Sequence, residues 1–310
     1  MTALDLARAA KGRTALLAAG ALVFNALVWG VSWWPFRQLQ GYGLHPLWAT
    51  ALMYLMIATG LLALQFKAWR GFVACPQLWF LAIASGLTNI GFNWAVTVGD
   101  VVRVVLLFYL MPAWSVLVAW LLLGEKPTPM SLARLLLAMI GVLIVLKTPD
   151  VSWPVPQGSA DWLAIAGGFS FAVTNALLRK YGHTPPASRM LAMFGGSGLM
   201  AGLTALLGMS LQLVPAPALQ TAGLPVFLGL SLAFMVSNTA LQYGAARLAA
   251  ATTAIVMLTE ILFASLSAAL LGAAQFTPRI VLGGSLVVLA ALLAALAPAT
   301  EDAQTGAKSS

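Results

Sequence analysis

The chain has 310 residues, 61% of them apolar, with only 16 Lys and Arg and 8 Asp and Glu, for a formal net charge of +8. Soluble globular proteins carry about 25% charged residues, so this chain cannot clothe a globule of its size in polar side chains, and its apolar content excludes a disordered chain. What remains is an integral membrane protein, in which the basic excess reports topology and not nucleic-acid binding.

A membrane-crossing helix needs about 20 apolar residues. Apolar runs punctuated by charge, Pro or Gly predict ten of them, at 14–35, 46–66, 77–98, 101–123, 130–147, 160–179, 188–212, 222–245, 249–272 and 279–298. The runs are continuous and too long for barrel strands, which alternate over about ten residues. The first follows Arg8, Lys11 and Arg13 but extends to Trp34, longer than a signal-peptide core, so it is read as a retained span. The weakest separations are Gly99-Asp100 and the stretch around Arg247. From Ala299 onward the residues are small and polar, and a disordered tail is expected over 299–310.

Basic residues in alternate loops set the orientation. One side holds Arg8, Lys11, Arg13, Lys67, Arg70, Lys126, Arg134, Arg179, Lys180, Arg189, Arg247 and Lys308, against Arg37, Arg103, Lys147 and Arg279 on the other. Both termini are therefore expected in the cytoplasm, with Asp100, Asp150 and Asp161 outside and the protein in a bacterial-type inner membrane. Trp48, Trp69, Trp79, Trp153 and Trp162 near the span ends are expected at the membrane–water interface.

A single cysteine, Cys75, excludes an intramolecular disulfide, and His45 and His183 have no metal-ligand spacing around them. There is no GxxxxGK[ST] phosphate loop and no HExxH. The expectation is no ATP, no cofactor, no metal and no enzymatic role, since an intramembrane enzyme needs a nucleophile with a base or paired acids at depth. A non-transporting membrane receptor or scaffold stays open as an alternative. The expected partners are a small-molecule substrate and the lipid bilayer.

Shifting the chain by 148 residues aligns Leu123-Gly124 with Leu271-Gly272, and span 3 with span 8. With a two-residue slip, Asn25-Ala26-Leu27-Val28 aligns with Asn175-Ala176-Leu177-Leu178. The repeat unit is five helices, 1–148 and 149–298. An odd number forces the second copy into the membrane from the opposite side, the inverted architecture in which substrates bind at the repeat interface. The expected fold is all-α, two five-helix inverted repeats around a central cavity.

Ten spans, the five-plus-five repeat, Pro112 and the Leu123-Gly124-Glu125 run of span 4, and Gly141-Val142-Leu143-Ile144 closing span 5 resemble the drug/metabolite transporter superfamily, EamA type. The resemblance covers nearly the whole chain. The second repeat departs from the pattern, with Glu260 where the first has Pro112 and Ala273 where it has Glu125. Within the superfamily, length and a tryptophan-rich interior look most like the aromatic amino acid exporters of the YddG type. The resemblance implies export of aromatic amino acids; other amino acids or flat cationic drugs are the alternative.

Polar side chains inside spans are costly and each is a functional candidate. Glu260, midway along span 9, is the acid farthest from any span end; it is read as a proton-coupling group or an ammonium partner, or else as a structural acid. Asn89 and Asn93 share a face of span 3, Asn238 and Gln242 a face of span 8, and Asn25 and Asn175 correspond in spans 1 and 6. They are read as cavity lining, against interhelical packing. Trp29, Trp94, Tyr109 and Tyr243 add rings suited to stacking or cation–π contact, against simple packing. Trp114 also lies deep in span 4. Pro112 is the candidate gating hinge. Gly195, Gly196, Gly198 and Gly202 form a small-residue face on span 7. Arg103 and Arg247 are expected to snorkel to headgroups or draw anions inward.

Overall fold

The computed structural model describes residues 3–99, 101–146, 156–273 and 277–296. Lys147, Asp150, Trp153, Asp100, Lys308 and the expected tail lie outside the described residues, as do the side chains of Arg8 and Lys11. Among the described residues the fold is all-helical. Its helices are α1 (Ala3–Val31), α2 (Trp33–Gly41), α3 (Pro46–Leu64), α4 (Lys67–Ala74), α5 (Leu78–Val98), α6 (Val101–Phe108), α7 (Met111–Leu123), α8 (Pro129–Leu146), α9 (Ser159–Lys180), α10 (Pro186–Ser210), α11 (Leu224–Ala245), α12 (Ala250–Met257), α13 (Glu260–Leu270) and α14 (Pro278–Ala295).

Local chemistry sets the helix ends. Pro46, Pro186, Pro225 and Pro278 occupy first-turn positions, where the missing N–H has no helical partner to lose. The His45 Nδ1 accepts the Leu47 N–H at 3.3 Å, and burial lowers the imidazole pKa, which keeps that nitrogen a neutral acceptor. Asp161 lies in the first turn of α9 and Arg179 and Lys180 in its last, each complementing the helix dipole. Gly124 and Gly272 end α7 and the turn after α13 in the left-handed region, at φ 69° and 70°, a conformation that disfavours a Cβ. These are the two glycines that the 148-residue shift superposes.

Nine helical stretches among the described residues are long and apolar enough to cross a membrane, or up to ten if α4 and α5, bent by 103°, count as one. The α5 helix carries the polar residues Thr88, Asn89 and Asn93. The α4 helix carries Lys67 and Arg70 with Trp69 stacked on Phe72 at 5.8 Å, the pattern of a helix lying in the headgroup plane. It is docked by the Ser188 hydroxyl, which donates to the Ala68 carbonyl at 2.9 Å.

Two expected continuous helices are broken. One gives way at Tyr109-Leu110 between α6 and α7, the other at Leu258-Thr259 between α12 and α13. The first has an evident cause: Pro112 cannot donate to Phe108, and the Leu110 N–H reaches Leu107 instead in a tighter turn of 3.3 Å. The second has no proline; the Leu258, Thr259 and Ile261 amides make the same tight turns to residues three back.

Helix α5 packs between α9 and α10, α3 lies along α10, α1 along α11, and α8 along α14 at the periphery. The α8–α14 crossing is close because glycines meet: a Cβ on Gly141 would stand 2.6 Å from the Gly283 carbonyl oxygen, and one on Gly283 2.5 Å from that of Gly141. The outside is strongly apolar, with Leu121, Leu203 and Leu270 exposed, as a lipid-facing surface requires. Trp69, Trp79 and Trp162 are exposed near helix ends, whereas the Trp48 Nε1 donates to the Pro215 carbonyl at 3.0 Å.

Candidate functional site

The bundle lines a partly open cavity of about 870 Å³, a volume that includes open solvent. Its wall is drawn from α1, α3, α5, α9, α10, α11 and both helix breaks, so Tyr109 and Met111 face it from one break and Met257 and Glu260 from the other. Broken helices at membrane depth are tolerated where they line a cavity, because loosened backbone groups there can find other partners.

Two aromatic groups shape the wall. Tyr54 stands edge-on to Phe194 at 5.0 Å and to Phe234 at 6.0 Å, and Phe234 backs Trp29 at 4.7 Å. Across from them Phe108 contacts Phe92 at 4.9 Å, Tyr109 at 6.1 Å and Phe171 at 6.1 Å. Between the groups run polar bridges. The Asn89 Nδ2 donates to the Ser85 carbonyl and to the Ser197 hydroxyl, both at 3.0 Å, and the Ser85 and Ser197 hydroxyls are 2.7 Å apart. The Asn93 Nδ2 donates to the Thr50 hydroxyl at 3.3 Å. Tyr109 and Glu260 bring one side chain from each helix break to this cavity, near each other.

Of the residues singled out from sequence, Trp29, Asn89, Asn93, Tyr109, Asn238 and Glu260 line this cavity together. The others lie elsewhere. Asn25 is fully buried and turned to α11, its Nδ2 donating to the Ser237 hydroxyl at 2.6 Å and carbonyl at 2.9 Å. Asn175 is buried with neither amide atom hydrogen-bonded. Gln242 sits one turn beyond Asn238, its amide 2.8 Å from Asn238 Oδ1. Trp94 packs against the Leu47, Ala205 and Val214 cluster. Tyr243 lies under the Arg247 guanidinium, 3.7 Å from its ring centre. Trp114 packs edge-on against Phe169. Pro112 is buried in the first turn of α7, directly after the helix break. Of the four glycines singled out on α10, Gly196 and Gly198 pack close, a Cβ on them standing 2.4 Å from the Ala82 carbonyl oxygen and 3.0 Å from Leu55, whereas Gly195 has open space around it and Gly202 meets Ala51 only at 3.7 Å.

Residues that sequence reasoning passed over complete the wall: Tyr54, Phe92, Phe108, Phe171 and Phe194, the hydroxyls of Ser85, Thr88, Thr174 and Ser197, and Met111, Met193, Leu241 and Met257. The i, i+4 spacing of Ser85 and Asn89, and the i, i+3 spacing of Phe194 and Ser197, places each pair on a shared helix face and was the available signal.

The arginines near the bundle ends are engaged in structure. The Arg103 Nε lies 2.8 Å from Asp161 Oδ2, an oxygen that also accepts the Gln157 N–H at 2.8 Å. The Arg179 Nε lies 2.5 Å from Glu125 Oε1, and Glu125 Oε2 is 3.4 Å from the Ala250 N–H at the start of α12. Arg189 is buried and its Nη1 donates to the carbonyls of Tyr181, Gly182 and Thr184 at 3.1, 2.7 and 2.8 Å. Among the described residues no group of His, Cys, Asp and Glu is arranged to hold a metal ion.

Residues 16–147 match the EamA-like transporter family. No curated protein matches the chain. The chain is similar to a protein of known crystal structure at 16% identity and a TM-score of 0.74, over 89% of this chain and 96% of that one. At that identity the likeness shows a shared fold alone.

Proposed function

We propose that this chain, a multi-pass membrane protein carrying an EamA-like transporter family domain of the drug/metabolite transporter superfamily, exports small amphipathic solutes with a flat or aromatic body through its central cavity. The family's members are transporters of small solutes and not enzymes. The observation that carries the reading is the cavity wall itself, in which two aromatic groups flank amide and hydroxyl bridges and one carboxyl. Rings of that kind bury a flat solute, and the sparse polar groups orient it. Aromatic amino acids are the class the sequence resemblance implies. Flat cationic solutes are the second reading, favoured by the presence of Glu260 in the wall.

The proposed architecture is ten spans in two inverted five-helix units, 1–148 and 149–298, working by alternating access. Several contacts support it. The Tyr42 carbonyl accepts the Gln220 N–H at 3.1 Å, placing loop 1–2 with loop 7–8. Arg103 and Asp161 place loop 3–4 with loop 5–6. Glu125 joins loop 4–5 to the end of α9 and the start of α12, and Ser188 joins the start of α10 to α4. Every pairing agrees with helices that alternate in direction. The matched breaks in α6–α7 and α12–α13 and the matched left-handed glycines support the repeat. The cytoplasmic placement of both termini and the inner-membrane location rest on the basic-residue asymmetry. With no nucleotide loop in the sequence, the drive is the solute's own gradient or a proton carried by Glu260, with Pro112 as the hinge.

The test is efflux from cells expressing the protein, loaded with labelled phenylalanine, tryptophan and an aromatic amine. Faster loss than in control cells supports the reading, and unchanged loss of every solute contradicts it.

A further inference from the structure

Helix α4 has three distinct faces. An α-helix advances about 100° per residue. Ala68, Gly71 and Phe72 therefore share one side, and Phe66, Trp69 and Val73 share another, Phe66 preceding the helix with αR backbone. Lys67 and Arg70 fall between those two sides.

The first face is the dock. Ala68 and Phe72 are buried, and a Cβ on Gly71 would run into the Ser188 hydroxyl that holds the Ala68 carbonyl. The second face is bare, with Phe66, Trp69 and Val73 all exposed. The third face is bare and positive, with Lys67 and Arg70 both exposed. Among the described residues no carboxylate pairs with either cation, and the Arg70 guanidinium lies 5.9 Å from the Phe66 ring centre. The helices α3, α4, α5 and α10 carry no acid at all, so nothing in the elements packed around this corner neutralises the pair.

The orientation of α4 says what can meet those two bare faces. It is bent by 103° from α5. Since α5 crosses the bilayer, α4 runs nearly along the membrane plane. Apolar side chains on a helix so placed dip into the acyl region, and its basic side chains sit at the level of the headgroup phosphates. A zwitterionic headgroup brings its own cation, which competes with the lysine and arginine. An anionic headgroup brings none and is favoured by both charges.

We infer that α4 is a binding site for an anionic phospholipid, its phosphate held by Lys67 and Arg70 and its acyl chains lying on Phe66, Trp69 and Val73. The site is continuous with the cavity wall. Ser188, which docks α4, lies in the first turn of α10, and α10 supplies Met193, Phe194 and Ser197 to the wall. A lipid bound to α4 thus holds it against a helix of the transport cavity, and binding to the folded state stabilises the bundle by mass action. The inference rests on the membrane placement of the chain and not on which solute crosses it.

The experiment follows thermal unfolding of the full-length protein in detergent micelles. The additives are phosphatidylglycerol, phosphatidylcholine with the same acyl chains, or soluble glycerol phosphate. The expected result is a midpoint at least about 4 °C higher with phosphatidylglycerol than with phosphatidylcholine, and no rise with glycerol phosphate. In Lys67→Gln with Arg70→Gln the difference between the two lipids is expected to fall below about 1 °C. Because each variant is compared with itself in the two lipids, a changed baseline stability does not obscure the result. The charge-keeping exchange Lys67→Arg with Arg70→Lys is expected to retain the difference, as is Arg13→Gln, which removes an exposed cation of α1. Equal midpoints in the two lipids for the original protein overturn the inference. So does a full difference in the glutamine variant, or a loss of it in the charge-keeping exchange. A loss as large in Arg13→Gln would assign the effect to overall positive charge, and an equal rise with glycerol phosphate would make the ligand a free phosphate; either result overturns the lipid site.

Discussion

Tyr109 and Glu260 stand at the two helix breaks, on opposite halves of the chain, and both face the same cavity. A side chain from each break would therefore meet a solute that occupied the cavity. Tyr109→Phe keeps the ring and removes the hydroxyl. The expected outcome is a rise of about three- to tenfold in the half-saturating concentration of the transported solute, the size of one ordinary hydrogen bond, with unchanged protein yield.

Glu260→Gln keeps the shape of the side chain and removes its proton. If the proton is the coupled ion, this variant equilibrates solute across the membrane but no longer accumulates it against a gradient when a pH difference is imposed. Retained pH-driven accumulation assigns Glu260 to structure.

The Glu125 carboxylate ties three elements together, taking Arg179 from the end of α9 on one oxygen and the Ala250 N–H of α12 on the other. One turn inward on α9 lies Asn175, and one turn inward on α12 lies Thr253, both buried and with side-chain polar atoms that have no hydrogen-bond partner. Water reaching these groups when the seam opens would satisfy them, so the Glu125 tie is expected to hold the seam shut. In a cysteine-free background, Thr253→Cys is expected to react with a soluble maleimide several-fold faster when combined with Glu125→Ala or Arg179→Ala. The exchanged pair Glu125→Arg with Arg179→Glu is expected to restore protection.

Topology is checked by the same chemistry. With Cys75 replaced by Ser, cysteines at Arg70 and at Lys180 are expected to label from the cytoplasmic side and cysteines at Tyr42 and at Leu219 from the other. Labelling of Arg70 and Tyr42 positions from one side contradicts the alternating arrangement.

The helices were legible because burial in lipid demands long apolar runs, and few charges interrupt them. The break at Tyr109-Leu110 was legible through Pro112, while that at Leu258-Thr259 was not, because no residue there forbids a helix. The α4 helix was hidden for a different reason: it is short and basic, and reads as a loop. Inside the cavity, mid-helix polar groups were informative when their face met the centre, as with Asn89, Asn93 and Glu260. Periodicity alone could not separate Trp29 from Asn25 or Asn238 from Gln242, since residues one turn apart share a face but reach different depths. Tyr54, Phe171 and Phe194 went unnoticed because aromatic residues are common throughout the chain, and only packing shows which rings meet.

Blocking the cavity tests the central claim most directly. Thr174 is a small buried residue in the wall, on α9, and Thr174→Trp would fill the space that a solute ring needs. Tryptamine counterflow is measured in liposomes for the original protein and for this variant, with equal amounts of monodisperse protein. Robust flux through the original protein and flux at background through Thr174→Trp is the predicted result. Undiminished flux through the variant would show that solute passes elsewhere, and no flux of any solute through the original protein would contradict the transport account itself.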